Sequence, residues 1–143
     1  MIHFSFEKKF SLNQLDEIIQ IIKKQITNFP VPLILLSGDL GVGKTTLVRR
    51  LVQSYSIYTS PNSPSYSLVN EYKLENRSLF HFDLYRIKFA NEIENLGFEE
   101  IWKHEFCIIE WWKIAEDFLP IHRIEIQLEH LDELSRNIKI EVV

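Results

Sequence analysis

The chain has 143 residues, about the size of one domain, and its 45% hydrophobic and 25% charged residues are typical of a globular protein. Its net charge of −4 argues against a domain that holds DNA or RNA by itself through many phosphate contacts. No apolar stretch is long enough to span a membrane, and the first residues lack a signal-peptide pattern. The sequence therefore predicts a single cytoplasmic domain over residues 1–143, without membrane contact.

The first third of the chain predicts a strand, a helix and a second strand. Residues 4–6 alternate between apolar and polar, as in an edge strand. Residues 11–14 fit a capping box, and apolar residues at helical spacing run from Leu12 to Ile26. Residues 33–36 are all apolar and indicate a short buried strand.

Residues 38–45 carry a phosphate-loop pattern. Their sequence, Gly-Asp-Leu-Gly-Val-Gly-Lys-Thr, fits G-x-x-x-x-G-K-[ST] and lies between a predicted strand and a predicted helix. Such a loop turns backbone N–H groups towards a phosphate at the helix N-terminus. The lysine, Lys44, is then expected at the outer phosphates and the hydroxyl of Thr45 at Mg²⁺. The predicted nucleotide contacts are Gly38, Asp39, Leu40, Gly41, Val42, Gly43, Lys44, Thr45 and Thr46.

The middle of the chain predicts a loop, a hairpin and a helix. Residues 59–65 have the Ser, Pro and Asn content of a loop. Residues 66–72 and 79–85 indicate two strands joined by a turn at 75–76. Residues 90–98 indicate a short helix that ends around Gly97.

The last third of the chain predicts three strands. Residues 106–110 form a continuous apolar run that ends in a glutamate, and Cys107 within it is expected to be a small buried hydrophobe. Residues 121–128 and 137–142 alternate with period two and indicate a closing antiparallel pair. Together the elements predict an α/β, P-loop NTPase-like domain of three layers with a mixed parallel and antiparallel sheet.

Two acids lie at the carboxyl ends of predicted strands, where a phosphate-loop protein usually binds its metal. Asp83 lies late in its predicted strand and Glu110 ends another, and ligands of open α/β sheets bind at the carboxyl ends of strands. Each is a candidate metal or catalytic residue, and each has the alternative of an ordinary exposed strand-end acid. The loop at residues 63–66 is a candidate switch that senses the terminal phosphate, with a plain turn as its alternative. No N-K-x-D segment is present, which favours ATP over GTP.

Five blocks of the sequence, taken in order, resemble one family. They are residues 38–46, 63–69 (Ser-Pro-Ser-Tyr-Ser-Leu-Val), 81–86 (His-Phe-Asp-Leu-Tyr-Arg), 94–97 (Glu-Asn-Leu-Gly) and 109–111 (Ile-Glu-Trp). Together they resemble the bacterial TsaE (YjeE) family of small ATPases, which assist threonylcarbamoyladenosine synthesis on tRNA. The likeness covers nearly the whole chain, and the second-half blocks are more specific than the phosphate loop.

The resemblance implies a function beyond nucleotide binding. Members bind ATP or ADP with Mg²⁺ and hydrolyse ATP slowly alone. They associate with TsaD and TsaB, which transfer the threonylcarbamoyl group to the adenosine beside the anticodon, and hydrolysis is thought to reset that complex. The implied contact with tRNA is therefore indirect, through the complex, with no DNA partner.

The resemblance also implies roles for single residues. The matching positions are Lys44 for phosphate and catalysis, Thr45 and Glu110 for Mg²⁺, Asp83 for catalysis or a water-mediated metal contact, Ser65 for the hydroxyl of the family's Ser-Pro-Thr, Trp111 for an important tryptophan beside the acid, and Arg136 for an arginine that touches the nucleotide. The family usually has a small residue or proline and then an acid or glutamine where this chain has Trp112 and Lys113.

Two other function classes share the phosphate loop. A small-molecule or nucleotide kinase is one alternative, although kinases usually add an arginine-rich lid and the 16 Lys and Arg residues form no such cluster. A module that holds ATP without hydrolysing it is the other. The two strand-end acids favour hydrolysis, because static binding does not require both.

Overall fold

A mixed sheet runs through the part of the chain that the structure describes. The computed structural model describes residues 1–55, 58–59 and 68–143, with the backbone alone at 58–59. The strands are β1 (Phe4–Ser11), β2 (Leu33–Ser37), β3 (Tyr58–Thr59), β4 (Val69–Leu74), β5 (Ser78–Asp83), β6 (Phe106–Glu110), β7 (Ile124–His130) and β8 (Ser135–Val142). Their spatial order is β1-β8-β7-β2-β6-β5-β4-β3.

Strand direction divides the sheet into a parallel centre and antiparallel margins. β2 pairs in parallel with β6 and β7, and β5 pairs in parallel with β6. The β1–β8, β7–β8, β4–β5 and β3–β4 pairs are antiparallel. The carboxyl ends of β2, β5, β6 and β7 therefore meet at one edge of the sheet, which is where open α/β sheets bind ligands.

Helices cover both faces of this sheet. The α-helices are α1 (Leu15–Ile26), α2 (Lys44–Gln53), α3 (Ala90–Leu96) and α4 (Phe98–His104), and 3₁₀ turns occupy Leu12–Gln14 and Trp112–Phe118. α1 and α2 pack on one face, and α3, α4 and the second 3₁₀ turn pack on the other. Within the described residues, none of the helices has both the length and the apolar character needed to cross a bilayer.

The apolar runs at the centre follow from this layering. Leu33 and Leu35 of β2 belong to the core beneath α3 and α4, whereas Ile34 and Leu36 belong to the core beneath α1 and α2. A strand buried on both faces has no position for alternating polar residues, so β2 and β6 are continuously apolar. The predicted α/β fold of three layers with a mixed sheet is confirmed.

Several boundaries differ from the expectations. The capping box forms, with the Ser11 N–H donating to Gln14 Oε1 at 3.0 Å, but it starts a 3₁₀ turn. Leu12, expected in the helix, lies in this turn and is 62% exposed. The predicted helix ends around Gly97 as expected, since α3 stops at Leu96 and Gly97 caps it with a left-handed φ of 72°, but α4, which follows at once, was not predicted. Residue 59 was expected to begin a loop but pairs in β3.

The closing antiparallel pair is confirmed, and Cys107 is fully buried. The expected strand over 79–85 ends two residues early, at Asp83. The predicted loop residues 60–65, including Ser65, and the first two residues of the strand expected over 66–72 lie outside the described residues.

Candidate functional site

The phosphate-loop sequence forms a curled connection between β2 and α2. Gly38, Gly41 and Gly43 have φ angles of 153°, 77° and 115°, and the Val42 N–H donates to Asp39 O at 3.2 Å. A Cβ on Gly38 would lie 2.8 Å from the backbone oxygen of Leu128, so this position requires glycine for close approach as well as for its angle. The structure therefore confirms the predicted order of strand, curled loop and helix.

Lys44 begins α2 and folds back over the loop. Its Nζ donates to Gly38 O at 2.5 Å and lies 4.3 Å from the centre of the Trp111 ring. The same Nζ lies 4.0 Å from Glu110 Oε1, and both side chains are only 6% exposed. A buried ammonium in contact with a carbonyl and a ring face is a strong local positive charge, because little water screens it.

Glu110 reaches the loop from the end of β6. Its Oε2 is hydrogen-bonded to His81 Nε2 at 2.5 Å, while Oε1 faces Lys44. His81 lies on β5, opposite Ile108 in the parallel register. Side chains two residues apart on a strand share a face, so His81, Asp83 and Glu110 all lie on the α2 side of the sheet. His81 belongs to one of the five blocks that resemble the family, at residues 81–86, but nothing in the sequence pattern assigned it a role.

Asp83 is the register partner of Glu110. It is exposed, and its Oδ1 accepts the Tyr85 N–H at 3.0 Å, a short turn that ends β5. The Leu84 N–H donates to Glu110 O at 3.1 Å, which ties the two strand ends together. The two acids predicted from the sequence therefore lie side by side at the sheet edge that carries the loop.

Trp111 follows Glu110 in a left-handed conformation, with φ 56° and ψ 44°. A non-glycine residue there carries a backbone cost of about 1–2 kcal/mol. The conformation turns the ring over Lys44, and the Tyr85 ring packs against it with centroids 4.9 Å apart. Next in the chain, the Trp112 indole N–H donates to Ser37 Oγ at 2.9 Å, which attaches this turn to the end of β2.

Arg136 approaches the loop from β8. Its Nε donates to Val42 O at 3.0 Å, and its Nη1 donates to Asp132 O and Ser135 O at 2.9 Å each. The guanidinium therefore connects the phosphate loop to the turn between β7 and β8. Its predicted contact with the nucleotide stays a prediction, but the side chain is at the loop.

Two cavities flank the loop. The larger, about 550 Å³, lies on the Gly38 and Lys44 side and is also lined by Tyr85, Trp111 and Lys113. The smaller, about 270 Å³, lies on the Thr46 side. Its lining includes Phe10, Leu12, Gly41, Gly43, Leu134 and Arg136. The sequence did not identify Leu12 or Leu134 as site residues, because both are far from the loop along the chain and only the fold brings them to this cavity.

The remaining loop residues lie at the surface of the same cradle. Thr45, in the first turn of α2, is exposed, as are Asp39 and Leu40, and Thr46 is half-buried beside the smaller cavity. Mg²⁺ at phosphate sites takes one or two protein oxygens together with phosphate oxygens, and the Thr45 hydroxyl and the Glu110 carboxylate are donors of that type. Among the described residues, no group of three or more His, Cys, Asp or Glu side chains could hold a metal ion by itself.

The fold and the curled loop define a P-loop protein of the α/β class. A family model described as "Threonylcarbamoyl adenosine biosynthesis protein TsaE" matches residues 10–138. With that match and several relatives above 30% identity, the chain belongs to the TsaE family.

Curated relatives agree with the family model. A protein of Rickettsia felis is 41% identical over 108 residues, which cover 75% of this chain and 63% of that protein. One of Bacillus subtilis is 32% identical over 115 residues, with 80% and 72% covered. Both carry the name tRNA threonylcarbamoyladenosine biosynthesis protein TsaE. The matched region spans less than two thirds of the first Rickettsia relatives, 63% in R. felis and 62% in R. conorii.

A solved structure supports the fold. The crystal structure of Bacillus subtilis YdiB superposes with a TM-score of 0.70 at 26% identity, and the match covers 99% of this chain and 88% of that one. The similarity therefore extends over the sheet, the loop and the strand ends that carry the two acids.

Proposed function

We propose that this chain is an ATPase of tRNA threonylcarbamoyladenosine synthesis, which binds ATP with Mg²⁺ on the phosphate loop and hydrolyses it slowly. The observation that carries this proposal is the buried Lys44 ammonium beside the Glu110 carboxylate, 4.0 Å apart, at the N-terminus of α2. A metal-bound triphosphate requires a positive charge, helix N-terminal amides and a carboxylate close together.

The phosphates would occupy the concave side of the loop. There the amides of residues 39–46 offer N–H donors, apart from that of Val42, which donates to Asp39 O, and the N-terminus of α2 adds positive potential. Lys44 now donates to Gly38 O, and in the bound state its ammonium would turn to the β- and γ-phosphate oxygens. The loop itself needs little change, because its glycines already hold it in a curled form.

Thr45 and Glu110 are the proposed holders of Mg²⁺, and Asp83 is proposed to orient the attacking water. The metal would supply charge neutralisation at the β- and γ-phosphates. Glu110 is buried, its Oε2 is hydrogen-bonded to His81, and its Oε1 faces Lys44 at 4.0 Å, which suits a metal-holding role. Asp83 is exposed next to it, which suits contact with water.

The smaller cavity is the proposed position of the base. The first turn of α2 runs from Lys44 at the outer phosphates to Thr46, so the α-phosphate and the nucleoside would extend past Thr46. That cavity is lined by Phe10, Leu12 and Leu134, and Leu12 and Leu134 are 62% and 83% exposed. The flat aromatic face of a base would cover these leucines, which gives their exposure a reason.

TsaD and TsaB are the proposed partners, with tRNA reached only through their complex. The negative net charge of −4 favours a protein partner over direct tRNA binding. The larger cavity is lined by Lys44 and by Leu84 and Trp111, the residues that follow the two acids, so a partner that docks there could change the rate of hydrolysis.

Phosphate release from ATP with Mg²⁺ tests the enzymatic proposal. Lys44→Met keeps the aliphatic stem and removes the charge, and we expect at least a 10-fold loss of hydrolysis with retained circular dichroism. The matched control is Lys103→Met, which removes an exposed lysine from α4 and should leave the rate unchanged. Unimpaired hydrolysis in the Lys44 variant would contradict the proposal.

Two further measurements separate the alternatives. ATP with a labelled γ-phosphate should yield inorganic phosphate, whereas label on a nucleoside, sugar or cofactor precursor would favour the kinase alternative. Mixing the chain with purified TsaB and TsaD should give a complex that depends on ATP. Failure to associate at micromolar concentration, with and without ATP, would remove the partner proposal.

A further inference from the structure

His81 is the buried partner of the proposed metal-holding acid. Its Nε2 lies 2.5 Å from Glu110 Oε2, and the two side chains are 11% and 6% exposed. In its ionised form Glu110 accepts hydrogen bonds and cannot donate them, so with that form the proton of this bond is assigned to His81 Nε2. The bond joins residues 29 positions apart on the neighbouring strands β5 and β6.

The two oxygens of Glu110 have different neighbours. Oε2 is held by His81, and Oε1 faces Lys44 Nζ at 4.0 Å. Lys44 makes its close hydrogen bond to Gly38 O, at 2.5 Å, and not to Glu110. The carboxylate is therefore held just short of a close ion pair with the lysine, although both groups are buried and oppositely charged.

We propose that His81 is a positioning residue, whose hydrogen bond fixes the orientation of Glu110 so that Oε1 stays available to a metal ion at the loop. The inference rests on the proposed function, because it assigns His81 a part in that same site. A buried carboxylate oxygen without a donor is costly. Without His81, Glu110 would turn to its other buried partner, Lys44, and the two charges would neutralise each other.

A second pair of a histidine and a glutamate, on α4, is exposed and so differs from the buried pair of His81 and Glu110. His104 Nδ1 lies 3.8 Å from Glu100 Oε2 on α4, and both side chains are exposed. Water can satisfy Glu100 if His104 is lost, whereas Glu110 is shielded from water. Replacing His104 by leucine is therefore a matched control for His81→Leu, because each change takes a histidine away from a neighbouring glutamate.

The experiment measures metal binding, not only turnover. Mn²⁺ binding to the protein with ADP is followed by electron paramagnetic resonance in the parent, His81→Leu, His81→Gln and His104→Leu. We expect His81→Leu to weaken Mn²⁺ binding about 10- to 100-fold, the usual effect of losing a hydrogen bond to a metal-ligating group. His81→Gln should recover most of the affinity, because its amide N–H can reach the position of Nε2. His104→Leu should match the parent.

The rescue distinguishes positioning from packing. Leu and Gln both replace the ring, so loss of packing alone would weaken both variants alike, and equal loss in the two would overturn the inference. Parent-like Mn²⁺ affinity in His81→Leu would overturn it as well. If His81→Leu does not fold, His81→Asn takes its place, because the shorter amide cannot reach Glu110 Oε2. A parent protein that binds no Mn²⁺ with ADP would overturn the proposed function together with this inference.

Discussion

Lys44 and Glu110 are expected to depend on each other for stability as well as for function. They are 4.0 Å apart and almost completely buried. Lys44→Met leaves the Glu110 carboxylate buried with His81 as its remaining close partner. Glu110→Gln leaves the Lys44 ammonium with Gly38 O and the Trp111 ring. Each single change leaves a charge or a polar group without its partner, whereas the double change removes both charges.

The size of the coupling follows from the distance. Two unit charges 4.0 Å apart interact by about 4 kcal/mol at an effective dielectric constant of about 20. Because the other contacts of Lys44 and Glu110 compensate part of this energy, we expect a coupling of about 2–4 kcal/mol. Lys44→Met alone should lower the free energy of unfolding by about 2–4 kcal/mol, less than the full cost of an unpaired buried charge, because His81 still bonds to the Glu110 carboxylate.

Urea unfolding of the parent, the two single variants and the double variant measures this coupling. The exposed pair of Lys103 and Glu99 on α4, with its atoms 3.4 Å apart, is the control, and its cycle should give no more than about 0.5 kcal/mol. If the Lys44 and Glu110 changes add to within about 0.5 kcal/mol, the two charges are not coupled and the reasoning about the buried pair is wrong.

Three other predictions concern the loop, the core and the ring over Lys44. Gly38→Ala should destabilise the protein by clearly more than Gly97→Ala, which should cost about 1–2 kcal/mol. A Cβ at Gly38 meets a backbone oxygen at 2.8 Å, whereas a Cβ at Gly97 meets no atom within 4 Å. Equal losses of unfolding free energy in urea would contradict this. Burial, and secondarily the charge of Glu105, raises the pKa of the Cys107 thiol far above its usual range. A thiol reagent at pH 8 should therefore react with Cys107 only as fast as the protein unfolds. Prompt reaction would contradict the burial of Cys107 in the core. Nucleotide should change the tryptophan fluorescence as Lys44 leaves the Trp111 ring, and an equal change in Trp111→Phe would assign the signal to another tryptophan.

The sequence was sufficient for the parts of the fold that depend on local pattern. The phosphate loop could be predicted because its glycines, lysine and flanking apolar runs are contiguous. The buried strand at residues 106–110 has the predicted bounds, because burial on both faces leaves a continuous apolar run. Asp83 and Glu110 could be selected because a strand-end acid is recognisable in the sequence.

Other features depend on contacts between distant residues. The bond of His81 to Glu110 spans 29 positions and that of Arg136 to Val42 spans 94, and no local pattern reports such a contact. The two-residue strand β3 exists through its pairing with β4. Leu12 fits the helical period, but it lies in the 3₁₀ turn and its side chain lines a cavity at the loop, so periodicity alone placed it wrongly in the helix.

A crystal structure with Mg²⁺ and a non-hydrolysable ATP analogue is the most direct test of the central claim. We expect the β- and γ-phosphates on the amides of residues 39–46, in contact with Lys44. We expect the metal at about 2.0–2.1 Å from the Thr45 hydroxyl, with Glu110 bound to it directly or through one water. A triphosphate bound away from the loop, or a metal beyond reach of Glu110 through a single water, would contradict it.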